Sequence, residues 1–66
     1  MRSREVIRMI VAASWYEVAC KGSHHQFKHP LRAGRVTVPH PQSDLPIGTV
    51  MNIFKQAGLE RSGQVH

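Results

Sequence analysis

The sequence predicts an α+β domain of α-β-β-β-α order, with a three-stranded antiparallel sheet and two helices on one of its faces. Three observations lead there. Apolar residues recur with helical period towards both ends of the chain, at Val6, Ile7, Ile10 and Ala13 and again at Val50, Ile53, Phe54 and Ala57. Short β-branched and aromatic runs lie between them, punctuated by Gly22 and Gly34. At 66 residues and 7.4 kDa the chain reads as a single domain over 1–66, with 3–60 as its ordered part. A chain this short buries only about 60% of the surface it exposes when unfolded, so its stability margin is thin.

The elements follow in order. Residues 3–14 read as an amphipathic helix of about three turns, with Ser3 as its N-cap and Arg4, Glu5 and Arg8 on the solvent side. Trp15–Cys20 suits a first strand. Lys21-Gly22-Ser23 is a tight turn, because Gly22 takes positive φ without penalty. Ser23–Lys28 is the second strand of that hairpin, and His29–Gly34 is a loop. Arg35–Val38 alternates as a third strand, which Pro39 stops because proline has no N–H for the ladder. His40–Pro46 reads as irregular. A second helix starts near Ile47, with Lys55 at its negative end and Gly58 and then Leu59 closing it. Glu60–His66 reads as a frayed polar tail. Each helix has one apolar stripe, so both most simply cover the same sheet face. That arrangement is the layout of the double-stranded-RNA-binding domain.

Composition bounds the function. Hydrophobic residues make up 41% and charged residues 20%, which fits a folded domain and is too apolar for a disordered chain. Nine Lys+Arg against four Asp+Glu give a net charge of +5 and a pI near 10.4. So basic a body points to a polyanion, either nucleic acid or an acidic protein. One cysteine excludes an internal disulfide framework and every zinc pattern that needs two thiolates. It also suits a reducing cytoplasm, the expected location. No apolar run approaches the roughly 18 residues of a membrane span. Arg8 interrupts Val6–Ala13, so the amino terminus reads as part of the fold.

The densest chemistry lies in Gly22-Ser23-His24-His25-Gln26-Phe27-Lys28-His29-Pro30. Val36-Thr37-Val38-Pro39 and His40 follow, and then Gly48-Thr49, which open a helix closing on Gln56-Ala57-Gly58-Leu59. These pieces, in this order, resemble the HicA (YcfA-like) toxin family over roughly residues 5–60. The resemblance implies an mRNA interferase of double-stranded-RNA-binding fold, neutralised by a HicB-type antitoxin. It also implies that the catalytic histidine is the one three residues after the motif glycine, which is His25.

The residues carry part of this chemistry unaided. Metal-free RNA cleavage needs a base for the 2′-hydroxyl proton, cations for the phosphate and an acid for the leaving 5′-oxygen. Histidine, with an ordinary pKa of about 6.5, does either proton job near neutrality. Lys21, Lys28, Arg32 and Arg35 lie close in sequence to His25 and are candidates for binding RNA, as is His24, the reserve catalytic candidate. Strand parity leaves two arrangements open. His25 shares a face with Phe27, and His24 shares one with Gln26 and Lys28. With Phe27 in the core, His25 is on the helix-covered side and reachable only near the strand end. With Phe27 on the open face, both residues face RNA and Phe27 stacks a base.

His25 and His29 have i, i+4 spacing, but on a strand and loop that spacing does not bring two rings to one point. No neighbouring Asp, Glu or second Cys is evident, so neither a metal nor any cofactor is expected. Cys20 reads as a small buried apolar residue, and Trp15 and Tyr16 as core or core edge. Arg2, Arg4 and Arg8 form a basic run on the exposed side of the first helix; such a run is usually only a solvated face, but in an RNA-binding fold the first helix is a common contact surface. His40 reads as part of a rigid loop, with a minor role beside the site as the other possibility. Asp44 either orients a histidine or caps the second helix. The alternative to a nuclease is a non-catalytic RNA-binding module of the same fold; a third reading is a subunit that binds an acidic protein and no nucleic acid.

Overall fold

A computed structural model describes residues 1–59; the tail Glu60–His66, read above as frayed, lies outside the described residues. The elements are α1 (Ser3–Ala12), β1 (Tyr16–Lys21), β2 (His24–Lys28), β3 (Val36–Pro39) and α2 (Ile47–Ala57). The sheet has order β1-β2-β3, antiparallel throughout. The expected fold class holds, and both helices pack chiefly over β3. Among the described residues no helix is long and apolar enough to cross a membrane.

Both ends of α1 depart from the sequence reading for local reasons. Ser3 is the first helical residue rather than the cap; Arg2 precedes it in extended conformation, and the Glu5 carboxylate accepts from the Arg2 N–H at 3.0 Å. The helix then stops at Ala12, because Ser14 turns left-handed at φ 81°. The Ser14 N–H donates to the Val11 carbonyl and the Trp15 N–H to the Ile10 carbonyl, a Schellman closure made without glycine. That turn delivers Trp15 into the core. Gly58 closes α2 in the same way, as expected, at φ 77°, with the Leu59 N–H on the Phe54 carbonyl.

Val6, Ile10, Trp15, Phe27, Val36, Val38, Leu45, Val50, Ile53 and Ala57 form the core. Phe27 is 1% exposed, which settles the question of parity. Burying such a side chain is worth about 1.5–3 kcal/mol, far more than the choice between polar neighbours on that strand. The Trp15 indole N–H donates to the Ala57 carbonyl at 3.1 Å and ties the start of β1 to the end of α2. Tyr16, expected at the core edge, is exposed on the other sheet face.

β1 and β2 are not in simple register. Glu17 pairs with Phe27, but Ala19 pairs with Gln26, so Val18 is bulged out of the ladder. One extra residue reverses the alternation of β1 from that point. Glu17 and Cys20, three apart in sequence, therefore lie on one face, opposite Phe27 and His25 respectively. The helices cover β3 more than β1, so these two positions sit at the rim of the core and stay exposed.

Candidate catalytic site

His25 lies on the helix-covered face at the hairpin end of β2, paired with Cys20 on one side and Val38 on the other. Its side chain is 20% exposed, which makes it a rim residue rather than a core one. The two-residue turn Gly22-Ser23 places it there, with Gly22 at φ 58° in the first central position, as a tight hairpin favours.

Three neighbours surround the ring. The Glu17 carboxylate lies 2.9 Å from Nδ1, so Nδ1 carries a proton and donates it to the carboxylate. In the neutral ring this leaves the lone pair on Nε2. Cys20 Sγ is 3.5 Å from Nε2 and 3.4 Å from the Gly22 carbonyl oxygen. His40 stands edge-on to His25, with ring centroids 5.0 Å apart at 80°. His40 is itself held: Ser3 Oγ lies 2.6 Å from its Nδ1, and the His40 backbone N–H donates to the Ser23 carbonyl. Ser3, 1% exposed, also accepts from the Gln42 N–H at 2.8 Å. A buried hydroxyl with two polar partners thus fixes the loop that carries His40.

Beside His40 opens a cleft of about 250 Å³ lined by Arg2, Ser3, Arg4, His40, Pro41, Gln42 and Ser43. Arg4 of α1 and Arg2, which precedes it, therefore stand beside His40.

The cations expected near His25 from sequence proximity are distributed differently. By alternation His24, Gln26 and Lys28 face the uncovered side of the sheet, and Lys21, paired with His24, joins them there. Arg35 is on that side too, with Nη1 donating to the Gln26 side-chain oxygen. Arg32 lies at the far end of the molecule, its guanidinium against Gly58 at the carboxyl end of α2. There it complements the helix dipole. His29 is also distant from His25: Nε2 donates to the Ala13 carbonyl and Nδ1 accepts from the Leu31 N–H. Asp44 orients no histidine and does not cap α2; it pairs with the amino terminus at 3.5 Å.

Sequence reasoning missed Glu17 as the partner of His25 and took Cys20 for a buried residue, whereas it is exposed. The bulge at Val18 creates both outcomes, and no residue pattern in β1 announces it. The same bulge brings together a carboxylate, a thiol and an imidazole where the sequence suggested that no acid stood near His25. His40 was visible only through its place after Pro39.

The family model for the HicA toxin of bacterial toxin-antitoxin systems matches residues 3–59, from the first residue of α1 to the last described residue. No curated protein matches the chain.

Proposed function

This chain belongs to the HicA toxin family, and so acts as a toxin with an antitoxin partner; from that premise we propose that it is an endoribonuclease that cuts messenger RNA without a metal, with His25 at its centre. The observation that carries the proposal is the pairing of His25 with a carboxylate on one side and a second imidazole on the other.

The proposed chemistry uses that arrangement as follows. Glu17 holds the His25 ring and selects the tautomer with its lone pair on Nε2. Nε2 takes the proton of a ribose 2′-hydroxyl. The freed 2′-oxygen bonds to the adjacent phosphorus, and the P–O5′ bond breaks. His40 enters the step as an imidazolium and gives its Nε2 proton to the departing 5′-oxygen, ending neutral with Nδ1 still on Ser3, while His25 leaves the step protonated. Glu17 also offsets the positive charge that His25 gains in the step. Arg2 and Arg4, lining the neighbouring cleft, bind the phosphates and stabilise the pentacovalent transition state. Lys21, His24, Lys28 and Arg35 on the uncovered sheet face hold flanking RNA, where their charge attracts a strand without taking part in the chemistry. Arg32, against Gly58, adds only to the general positive field.

A HicB-type antitoxin completes the proposal. The charge of +5 suits rapid capture by an acidic protein that covers His25 and the arginine cleft. The expected location is the cytoplasm, where messenger RNA is found.

The products test the reaction. Cleavage in a chelator should leave a 2′,3′-cyclic phosphate and a 5′-hydroxyl. A 5′-phosphate would contradict internal attack by the 2′-oxygen. Binding of RNA with no cleavage at all would favour the non-catalytic module.

A further inference from the structure

We propose that Glu17, Cys20 and His25 form a binding site for a borderline-soft divalent cation of the Zn²⁺ class, and that occupying it switches the nuclease off. The regulatory half rests on the reading of His25 as the catalytic base; the metal-binding half stands on geometry alone.

One ligand atom from each of the three residues lies within 4.8 Å of the other two. Zinc bonds thiolate sulfur at about 2.3 Å, imidazole nitrogen at about 2.0–2.1 Å and carboxylate oxygen at about 2.0–2.2 Å. A tetrahedron with such bonds has edges of roughly 3.5 Å. The observed separation of 3.5 Å between Cys20 Sγ and His25 Nε2 already matches one edge. Glu17 has to swing its carboxylate from Nδ1 towards the metal, and at 45% exposure that side chain is free to turn. The backbone under the three residues is fixed: Cys20 and His25 are cross-strand partners, and Glu17 sits at the start of the bulge. Only ligand rotamers need to change.

The donor set selects the cation. A thiolate, an imidazole and a single carboxylate favour zinc over magnesium or calcium, which prefer an all-oxygen shell. Binding releases the thiol proton to solvent. Three protein ligands leave the fourth corner to water. The site is open to entry, since Glu17 and Cys20 are both exposed.

The consequence for catalysis is direct. The lone pair on Nε2 cannot both hold a metal and accept the ribose proton. Drawing Glu17 onto the cation removes the group that orients the ring as well. Zinc therefore acts as a reversible inhibitor whose binding site contains the proposed catalytic base.

The test uses the full chain, without an affinity tag and stripped with chelator. Co²⁺ serves as spectroscopic probe, and Zn²⁺ is titrated by calorimetry. The expected results are one bound ion per chain and a thiolate-to-cobalt charge-transfer band. Cys20→Ser should abolish the band and weaken Zn²⁺ at least tenfold, and Glu17→Gln should weaken it several-fold. Circular dichroism should show both variants folded. In the cleavage assay, Zn²⁺ at saturation should stop the wild type, while Cys20→Ser, each rate taken relative to the same protein without metal, should resist the same concentration. Absence of the band, or Zn²⁺ affinity unchanged in both variants, would overturn the site. Cleavage that rises with Zn²⁺ would overturn inhibition. A chain that binds Zn²⁺ through Cys20 and never cuts RNA would leave the site standing and refute the nuclease reading instead.

Discussion

The carboxylate of Glu17 stands 2.9 Å from Nδ1 of His25, across neighbouring strands and out of ordinary alternation with Cys20 because Val18 is bulged. The contact is only partly shielded, with Glu17 45% exposed. Its value lies in fixing a tautomer rather than in stabilising the fold, since an exposed ion pair contributes about 0–1 kcal/mol. Glu17→Gln keeps a hydrogen-bond acceptor but loses the charge. It should lower kcat by about 10- to 100-fold, less than the roughly 10⁴-fold known for a buried triad carboxylate. KM should barely change, and thermal unfolding should match the wild type. Steady-state kinetics on a short RNA check the split between kcat and KM.

Arg2 and Arg4 line the cleft next to His40. Replacing both with Ala should weaken RNA binding at low salt and reduce the slope of log affinity against log salt by about 0.7 for each lost phosphate contact to a single strand. The same measurement on Lys28→Ala, on the other sheet face, separates the two cationic surfaces. The arginine pair should lower the cleavage rate at saturating RNA, and Lys28→Ala should affect binding alone.

The buried hydroxyl of Ser3 bonds the His40 ring and accepts from the Gln42 N–H. Ser3→Ala leaves both groups short of a partner, at a cost of about 1–3 kcal/mol. Urea unfolding should show the loss. Cleavage should fall under conditions where the variant remains folded, because His40 loses the contact that aims its ring.

Ser14 and Gly58 both end helices in left-handed conformation, and only one of them is glycine. Ser14→Gly should raise stability by about 1 kcal/mol, because the left-handed region costs an L-residue roughly 1–2 kcal/mol. Gly58→Ala should lower it by a similar amount, and it also presses on the Arg32 guanidinium, 2.8 Å from the added Cβ. Arg32 is at the far end from His25, so cleavage by folded protein should not change. Opposite shifts in the urea midpoint check the pair.

The fold was readable because its signals are local. The stripe Val50, Ile53, Phe54 and Ala57, the stop at Gly58 and the alternation of Val36 and Val38 each state their element within a few residues. The end of α1 was not, because Ser14 adopts a backbone shape that sequence assigns to glycine or asparagine. The site was readable only in part. His25 announced itself through its motif. Glu17 could not, since its reach to His25 depends on one unpaired residue in β1, and a bulge has no compositional signature there. Sequence proximity misplaced the cations for a related reason. Lys28 is close to His25 along the strand, yet alternation places it on the opposite face, whereas Arg2 and Arg4 reach the site's side through the packing of α1.

Whether His25 moves the ribose proton is decided by comparing wild type with His25→Ala on one RNA in chelator, following cleavage under single turnover and binding by fluorescence anisotropy. The variant should stay folded, bind RNA with affinity within a few-fold of wild type, and cut at least about 10²-fold more slowly. A variant that binds equally well and cleaves at the wild-type rate would contradict that role for His25.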